Sequence, residues 1–285
     1  MLNEKDLKIT TLVENTAFQR GFLAEWGLCM LIETAEKMIL LDSGASPHAV
    51  SHNARRLGLD LSRVDVWVLS HGHYDHTGGM TAVLGSMGKE IEIIAHPSVW
   101  DLKYAHRSDP EWYEYCGNPY KPDELERLGA RFSYSAEPTW ITEDIVTSGE
   151  ESMTTDFEAP DKILRLKKDG KYVPDTVMDD QSIYIRTNLG LIVVAGCAHR
   201  GIINVIRHGV ELTKMDKVYL VVGGTHLFSA PQEQLEKTIE AFRTLGVEWI
   251  GVSHCTGLKQ AARLYQEFGD RFFFNNTGTV IRFPL

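Results

Sequence analysis

A chain of 285 residues, 43% hydrophobic and 24% charged, can build a sizeable core and carries no signature of disorder. Its formal net charge of -10 is the wrong field for nucleic acid or an anionic membrane, both of which call for a basic surface. The first residues hold no apolar targeting core, no apolar run is long enough to span a bilayer, and the four cysteines form no C-x-x-C pair, so a cytoplasmic, reducing setting is expected.

In chain order, 7–14, 27–33 and 38–42 read as strands, and 47–58 as a helix that Gly58 ends. The apolar run 64–70 predicts a buried strand, 77–86 a helix and 91–96 a further strand. Residues 98–122 break the alternation. They are crowded with Trp100, Tyr104, Trp112, Tyr113, Tyr115 and Tyr120, and read as an inserted segment, either a lid over a pocket or a satellite core under a long loop. Residues 148–179 are polar and charged, an excursion on the surface or a loop and short hairpin near the site.

Strands resume at 182–187 and 191–196 as a hairpin around Asn188, Leu189 and Gly190. A helix over 201–213, a strand over 217–224 and a helix over 231–246 closed by Gly246 follow. The chain ends with a strand over 249–254, a helix over 258–269 and a strand over 271–275. Each half opens with hairpin strands and passes to strand–helix units. That order predicts an α/β fold, a four-layer αββα sandwich with two sheets facing each other and helices outside, built as one domain over 1–285.

The chemistry concentrates where the apolar strand VDVWVLS runs into HGHYDHTGG. His71, His73, Asp75 and His76 crowd one loop at the carboxyl end of a strand, where α/β proteins place their sites. Imidazoles and a carboxylate bunched in this way point to a metal rather than to a polar loop. Two more histidines end apolar strands, His199 after LIVVAG and His254 after WIGVS.

The H-x-H-x-D-H pattern resembles the signature of the metallo-β-lactamase superfamily. The resemblance implies two divalent metal ions, zinc first, with manganese or iron as alternatives. His71, His73 and His199 would serve one ion, and Asp75, His76 and His254 the other. The upstream LLDSG is similar to the family's strand-end Asp motif, so Asp42 would hold a ligand imidazole in one tautomer. Many relatives carry Gly-Asp where this chain has Gly196–Cys197, which leaves the bridging group open. Cys197 near the metals, a small core cysteine, or the pair Asp179 and Asp180 all fit the sequence.

Further segments, among them DDQSIYI, AGCAHRGIINVI, VVGGTHLF and NNTGTVI, resemble a bacterial and archaeal subgroup of that superfamily. The subgroup includes a dihydropterin-type synthase of methanopterin biosynthesis. The implied activity is hydrolysis of a small, anionic ester or phosphate-bearing molecule by a metal-activated water. A transferase releasing pyrophosphate, or a metal-dependent redox or sensor protein, are the alternatives.

Asp75 and His226 are the catalytic candidates. His226 ends the strand VYLVVGG, so it either faces substrate, where it can bind it or donate a proton, or packs behind Gly223 and Gly224. Arg200 opens the helix after His199 and is either an anion site or a solvated charge.

Overall fold

The computed structural model describes residues 1–108 and 110–285. The first half lays down β1 (Lys8–Val13), β2 (Cys29–Glu33) and β3 (Met38–Asp42), then α1 (Ala49–Arg56), β4 (Val66–Val68), the short α2 (Tyr74–Thr77), α3 (Met80–Met87) and β5 (Ile91–Ala95). The middle holds β6 (Lys103–Ser108), β7 (Glu111–Tyr115), α4 (Pro122–Glu126), β8 (Ala130–Tyr134), β9 (Thr139–Trp140), β10 (Ile145–Thr147), β11 (Leu164–Lys168) and β12 (Lys171–Pro174). The second half adds β13 (Ser182–Thr187), β14 (Gly190–Ala195), α5 (Ile202–Thr213), β15 (Val218–Gly224), α6 (Gln232–Thr244), β16 (Trp249–Ser253), α7 (Leu258–Phe268), β17 (Phe272–Phe274) and β18 (Val280–Arg282).

Two seven-stranded sheets form, in the orders β18-β1-β2-β3-β4-β5-β8 and β17-β16-β15-β14-β13-β10-β9. Their strands read as unbroken apolar runs because both faces are buried. In β3, Ile39 and Leu41 point into the layer between the sheets, and Met38 and Leu40 point outward under α1 and α3. In β14, Ile192 and Val194 join that same middle layer, and Leu191, Val193 and Ala195 face α5, α6 and α7. The result is the expected αββα sandwich. Among the described residues no helix is long and apolar enough to cross a membrane.

Two local expectations are corrected. The strand expected over 64–70 stays in the ladder only over Val66–Val68, and Ser70 gives its amide to the Asp42 carboxylate at 2.7 Å instead of to a strand. The helix expected over 77–86 is two pieces, α2 and α3, broken at Gly78 and Gly79. A Cβ there would lie 2.1 Å from the carbonyl oxygens of Ala45 and Ser43, so the close approach of the loop after β3 selects glycine at both positions.

The aromatic segment 98–122, in which Asp109 lies outside the described residues, is largely the hairpin β6–β7. The polar stretch 148–179 contains the hairpin β11–β12, and the two hairpins join as a third sheet, β12-β11-β6-β7. Tyr113 and Tyr172 stack at 3.6 Å across it. The strands β8, β9, β10 and β18 are additions to the reading from sequence.

Candidate metal centre

The ligand candidates come from three loops, each at the carboxyl end of a parallel-paired strand: His71, His73, Asp75 and His76 after β4, His199 after β14 and His254 after β16. All six side chains are buried. They gather in two groups. The Nε2 atom of His71 lies 2.9 Å from Nδ1 of His73 and 3.2 Å from Nε2 of His199. The Nε2 atom of His76 lies 3.2 Å from Nε2 of His254, which is 3.3 Å from an Asp75 carboxylate oxygen.

Imidazole lone pairs aimed at each other at this range repel unless a proton or a metal cation lies between them. Two donors each about 2.05 Å from a tetrahedral zinc are about 3.3 Å apart, so the observed spacing fits a metal. Two further buried atoms, Nε2 of His73 and Nδ1 of His199, have no hydrogen-bond partner.

The electrostatics suit that use at His71, His73 and His199, whereas His76 would have to release a proton to ligate. Burial, reinforced by neighbouring histidines, holds His71 and His199 well below the ordinary imidazole range, and burial with the Lys103 charge pushes His73 to about 3. All three shifts favour the neutral ring, the form that can ligate a metal. Burial works against a charge on His76, but the Asp42 and Asp75 carboxylates overcome it and lift this ring to about 9. Asp75 is likewise buried, yet His76 and His254 keep it well below the usual carboxylate range.

Asp42 organises both groups. It is fully buried, with φ of 58°, a conformation that Asp and Asn tolerate better than most residues. Its Oδ2 atom lies 2.7 Å from His76 Nδ1 and accepts from Ser70 Oγ at 2.7 Å. Ser70 Oγ has its one hydrogen engaged there, so at 2.9 Å it accepts from His71 Nδ1. One carboxylate thus assigns the Nδ1–H tautomer to both rings and turns both Nε2 atoms toward the donor groups. His254 is oriented in the same way by Asn15, whose Oδ1 lies 2.9 Å from His254 Nδ1, while Glu14 accepts the His254 amide at 3.2 Å. Asn15, Glu14 and Ser70 were invisible as site residues in the sequence.

Cys197 lies beside the histidines, with Sγ 3.2 Å from His76 Nε2, and its thiol can join His71 and His76 or His199 and His226 in a ligand group. Cys255 stands on the same wall, accepting the His226 amide at 3.3 Å. The two acids before β13 are committed elsewhere. Asp179 accepts the Gly72 amide at 2.8 Å and pairs with Lys103 Nζ at 2.7 Å, and Asp180 accepts the Arg200 amide at 3.2 Å. Neither belongs to a donor group among the described residues.

His226 follows β15 by two residues, with its ring 4.1 Å from that of His199, and neither of its nitrogens has a partner. It lines a cavity of about 320 Å³ together with His73, Asp75, His199, His254 and Arg107. Ala105, Arg107 and Cys116 bring the aromatic segment to the wall of this same cavity.

The Arg200 expectation is corrected. Its guanidinium is buried and donates to the carbonyls of Glu151 at 2.7 Å and Thr176 at 2.9 Å. The amino terminus of α5 already holds an anion, the Glu158 carboxylate, which accepts from the amides of Ile203 at 2.9 Å and Asn204 at 3.0 Å.

Comparison with known proteins agrees with this geometry. Residues 27–152 match the family model described as the metallo-beta-lactamase superfamily. The chain is 34% identical to the 7,8-dihydropterin-6-methyl-4-(beta-D-ribofuranosyl)-aminobenzene-5'-phosphate synthase of Methanocaldococcus jannaschii, over 98% of this chain and 97% of that one. It is 32% identical to an uncharacterized protein of the same organism over 96% of this chain and 99% of that one. Among solved structures, Tm1679, described as a metal-dependent hydrolase of the beta-lactamase superfamily, superposes with a TM-score of 0.83 at 27% identity, over 97% of this chain and 98% of that one.

Proposed function

The chain belongs to the metallo-beta-lactamase superfamily, and from that premise we propose that it is a two-metal hydrolase acting on a small, anionic ester or phosphate-bearing substrate. The observation that carries this reading is the pair of adjacent donor groups, His71–His73–His199 and Asp75–His76–His254, each with its ligand atoms within 4.8 Å of one another. Imidazole-rich donors with a single carboxylate suit zinc, with manganese or iron as alternatives. When bound, such a pair of ions supplies Lewis acidity and a water nucleophile at neutral pH.

The chain's own residues then bind and move protons. Asp75, kept anionic by His76 and His254, can accept a hydrogen bond from a water and orient it at the second donor group. His226 faces the same cavity with both ring nitrogens free, where it can bind substrate or protonate a leaving oxygen. Arg107 in the same lining adds a cation for an anionic substrate, although Glu114 holds it at 2.8 Å until a ligand competes.

A second reading, a transferase that releases pyrophosphate, is favoured by the synthase relative that spans nearly the whole chain. One experiment separates the two. Metal-loaded protein is tested on a panel of phosphodiesters, esters and lactones, and in parallel for pyrophosphate release from an activated dihydropterin. Turnover of a panel member supports the hydrolase. Pyrophosphate release with an inert panel replaces it by the transferase, and inactivity in both arms overturns the pair of readings.

A further inference from the structure

Four exposed, large apolar side chains gather where water should disfavour them. Trp26 (47% exposed), Phe228 (42%), Phe274 (37%) and Leu258 (73%) surround the mouth of a second cavity, of about 330 Å³. Such an apolar concentration on a surface marks a binding site more often than chance exposure. Its floor is built by Val252 and Ala261, both buried.

This cavity adjoins the metal centre. Trp26, Phe228 and His254 line both cavities. The Trp26 ring meets the His254 ring edge-on at 5.2 Å and the Phe228 ring edge-on at 5.9 Å. Trp26 and Phe228 are therefore a shared wall, with the donor groups on one side and the apolar cavity on the other.

One polar group in the lining is unspent. Asn276 is 7% exposed, and its Nδ2 has no hydrogen-bond partner. The other buried polar side chains there are engaged: Glu14 with the Thr16 and His254 amides, Ser253 with Asn275, and Thr256 with Thr225. A buried amide donor left open beside an aromatic wall costs free energy that a ligand acceptor would recover.

We infer that this cavity is the subsite for a flat aromatic or heteroaromatic group of the substrate. The ring lies against Trp26, Phe228 and Phe274, takes a hydrogen bond from Asn276 Nδ2 on a ring nitrogen or carbonyl oxygen, and directs the reacting end past His254 to the metals. The subsite rests on the reading of the neighbouring centre as catalytic only for this direction.

The test uses quinazolin-4-one, a flat two-ring acceptor with neither ester nor phosphate, titrated calorimetrically into metal-loaded protein. We expect saturable binding that Trp26→Ala and Asn276→Leu each weaken at least 10-fold, and that Trp140→Ala, an exposed aromatic on β9 in neither cavity lining, leaves unchanged. Phe274→Ala, on a different strand, is the second probe of the aromatic wall should Trp26→Ala fail to fold, and thermal melts of all variants verify folding. No binding to the wild type, or equal binding to the folded variants, overturns the subsite. Because the probe is never turned over, an inactive panel above leaves this result standing, and binding without turnover counts against the hydrolase alone.

Discussion

Asp42 has to serve two imidazoles with one carboxylate, and this determines what its replacement does. Asn tolerates the same backbone conformation, so Asp42→Asn leaves the turn intact. It replaces one acceptor oxygen with an amide donor facing His76 Nδ1 and Ser70 Oγ, which selects the wrong tautomers. We expect weaker metal binding at both sites, by roughly 10–100-fold, in competition titrations against a chromophoric chelator. Loss confined to one site would remove the relay through Ser70 to His71. His226 has no such duty. His226→Ala should keep both metals and lower turnover by ~10²–10⁴-fold if the ring moves a proton, or chiefly raise KM if it only binds. Lost metal in this variant would make His226 a ligand.

The candidate ligand histidines could be picked out in the sequence because their spacing is short or because each follows an apolar strand. Asn15 could not, since it meets His254 from 239 positions away and looks like any turn residue. Arg200 misled for a related reason: the anion that fills the start of α5 is Glu158, supplied by a loop with no sequence motif of its own.

At the level of elements, the buried ion pairs show why the third sheet could not be read as a sheet. Its two hairpins look like separate irregular segments, and only the pairing of β6 with β11 unites them. The layers of the sandwich were legible because strands buried on both faces leave long apolar runs, whereas half-exposed strands such as β7, β11 and β12 leave no clear period. Lys103 fastens β6 to the loop after β4. Its Nζ reaches Asp179 at 2.7 Å and Asp175 at 3.3 Å, and Asp179 in turn accepts the Gly72 amide. Burial disfavours the ammonium, but the two carboxylates overcome it and raise Lys103 above its usual range. Lys103→Met keeps the volume and strands two buried acids. The expected loss is about 3–5 kcal/mol in urea unfolding. A change under ~1 kcal/mol would mean that the sheet is held by its aromatic stacking instead.

Across the whole molecule, the donor groups act as a clasp. Each takes ligands from the loop after β4 in the first sheet, and one ligand from the second sheet, His199 after β14 or His254 after β16. Protein hydrogen bonds already join the two sheets at this end, Gln181 Nε2 to the Leu69 carbonyl at 2.9 Å and His254 to Glu14 and Asn15, and ions held by the donor groups would add to them. Ions that bind the folded chain and not the unfolded one stabilise it by mass action, about 4 kcal/mol per site at a free concentration a thousandfold above Kd. For a protein of this size each such site raises Tm by roughly 7 °C. A chelator should therefore lower Tm by that order or more, with the shift growing as the logarithm of free metal. His254→Ala removes the second sheet's only ligand to one group. It should reduce the bound metal from two ions to one by elemental analysis and abolish about half of the chelator-sensitive stability. The fold should remain, because the middle layer of Ile39, Leu41, Ile192 and Val194 does not depend on the ions. A Tm indifferent to chelator would show that the two sheets meet at full strength without metal, and a His254→Ala protein that still holds two ions would place that ligand elsewhere.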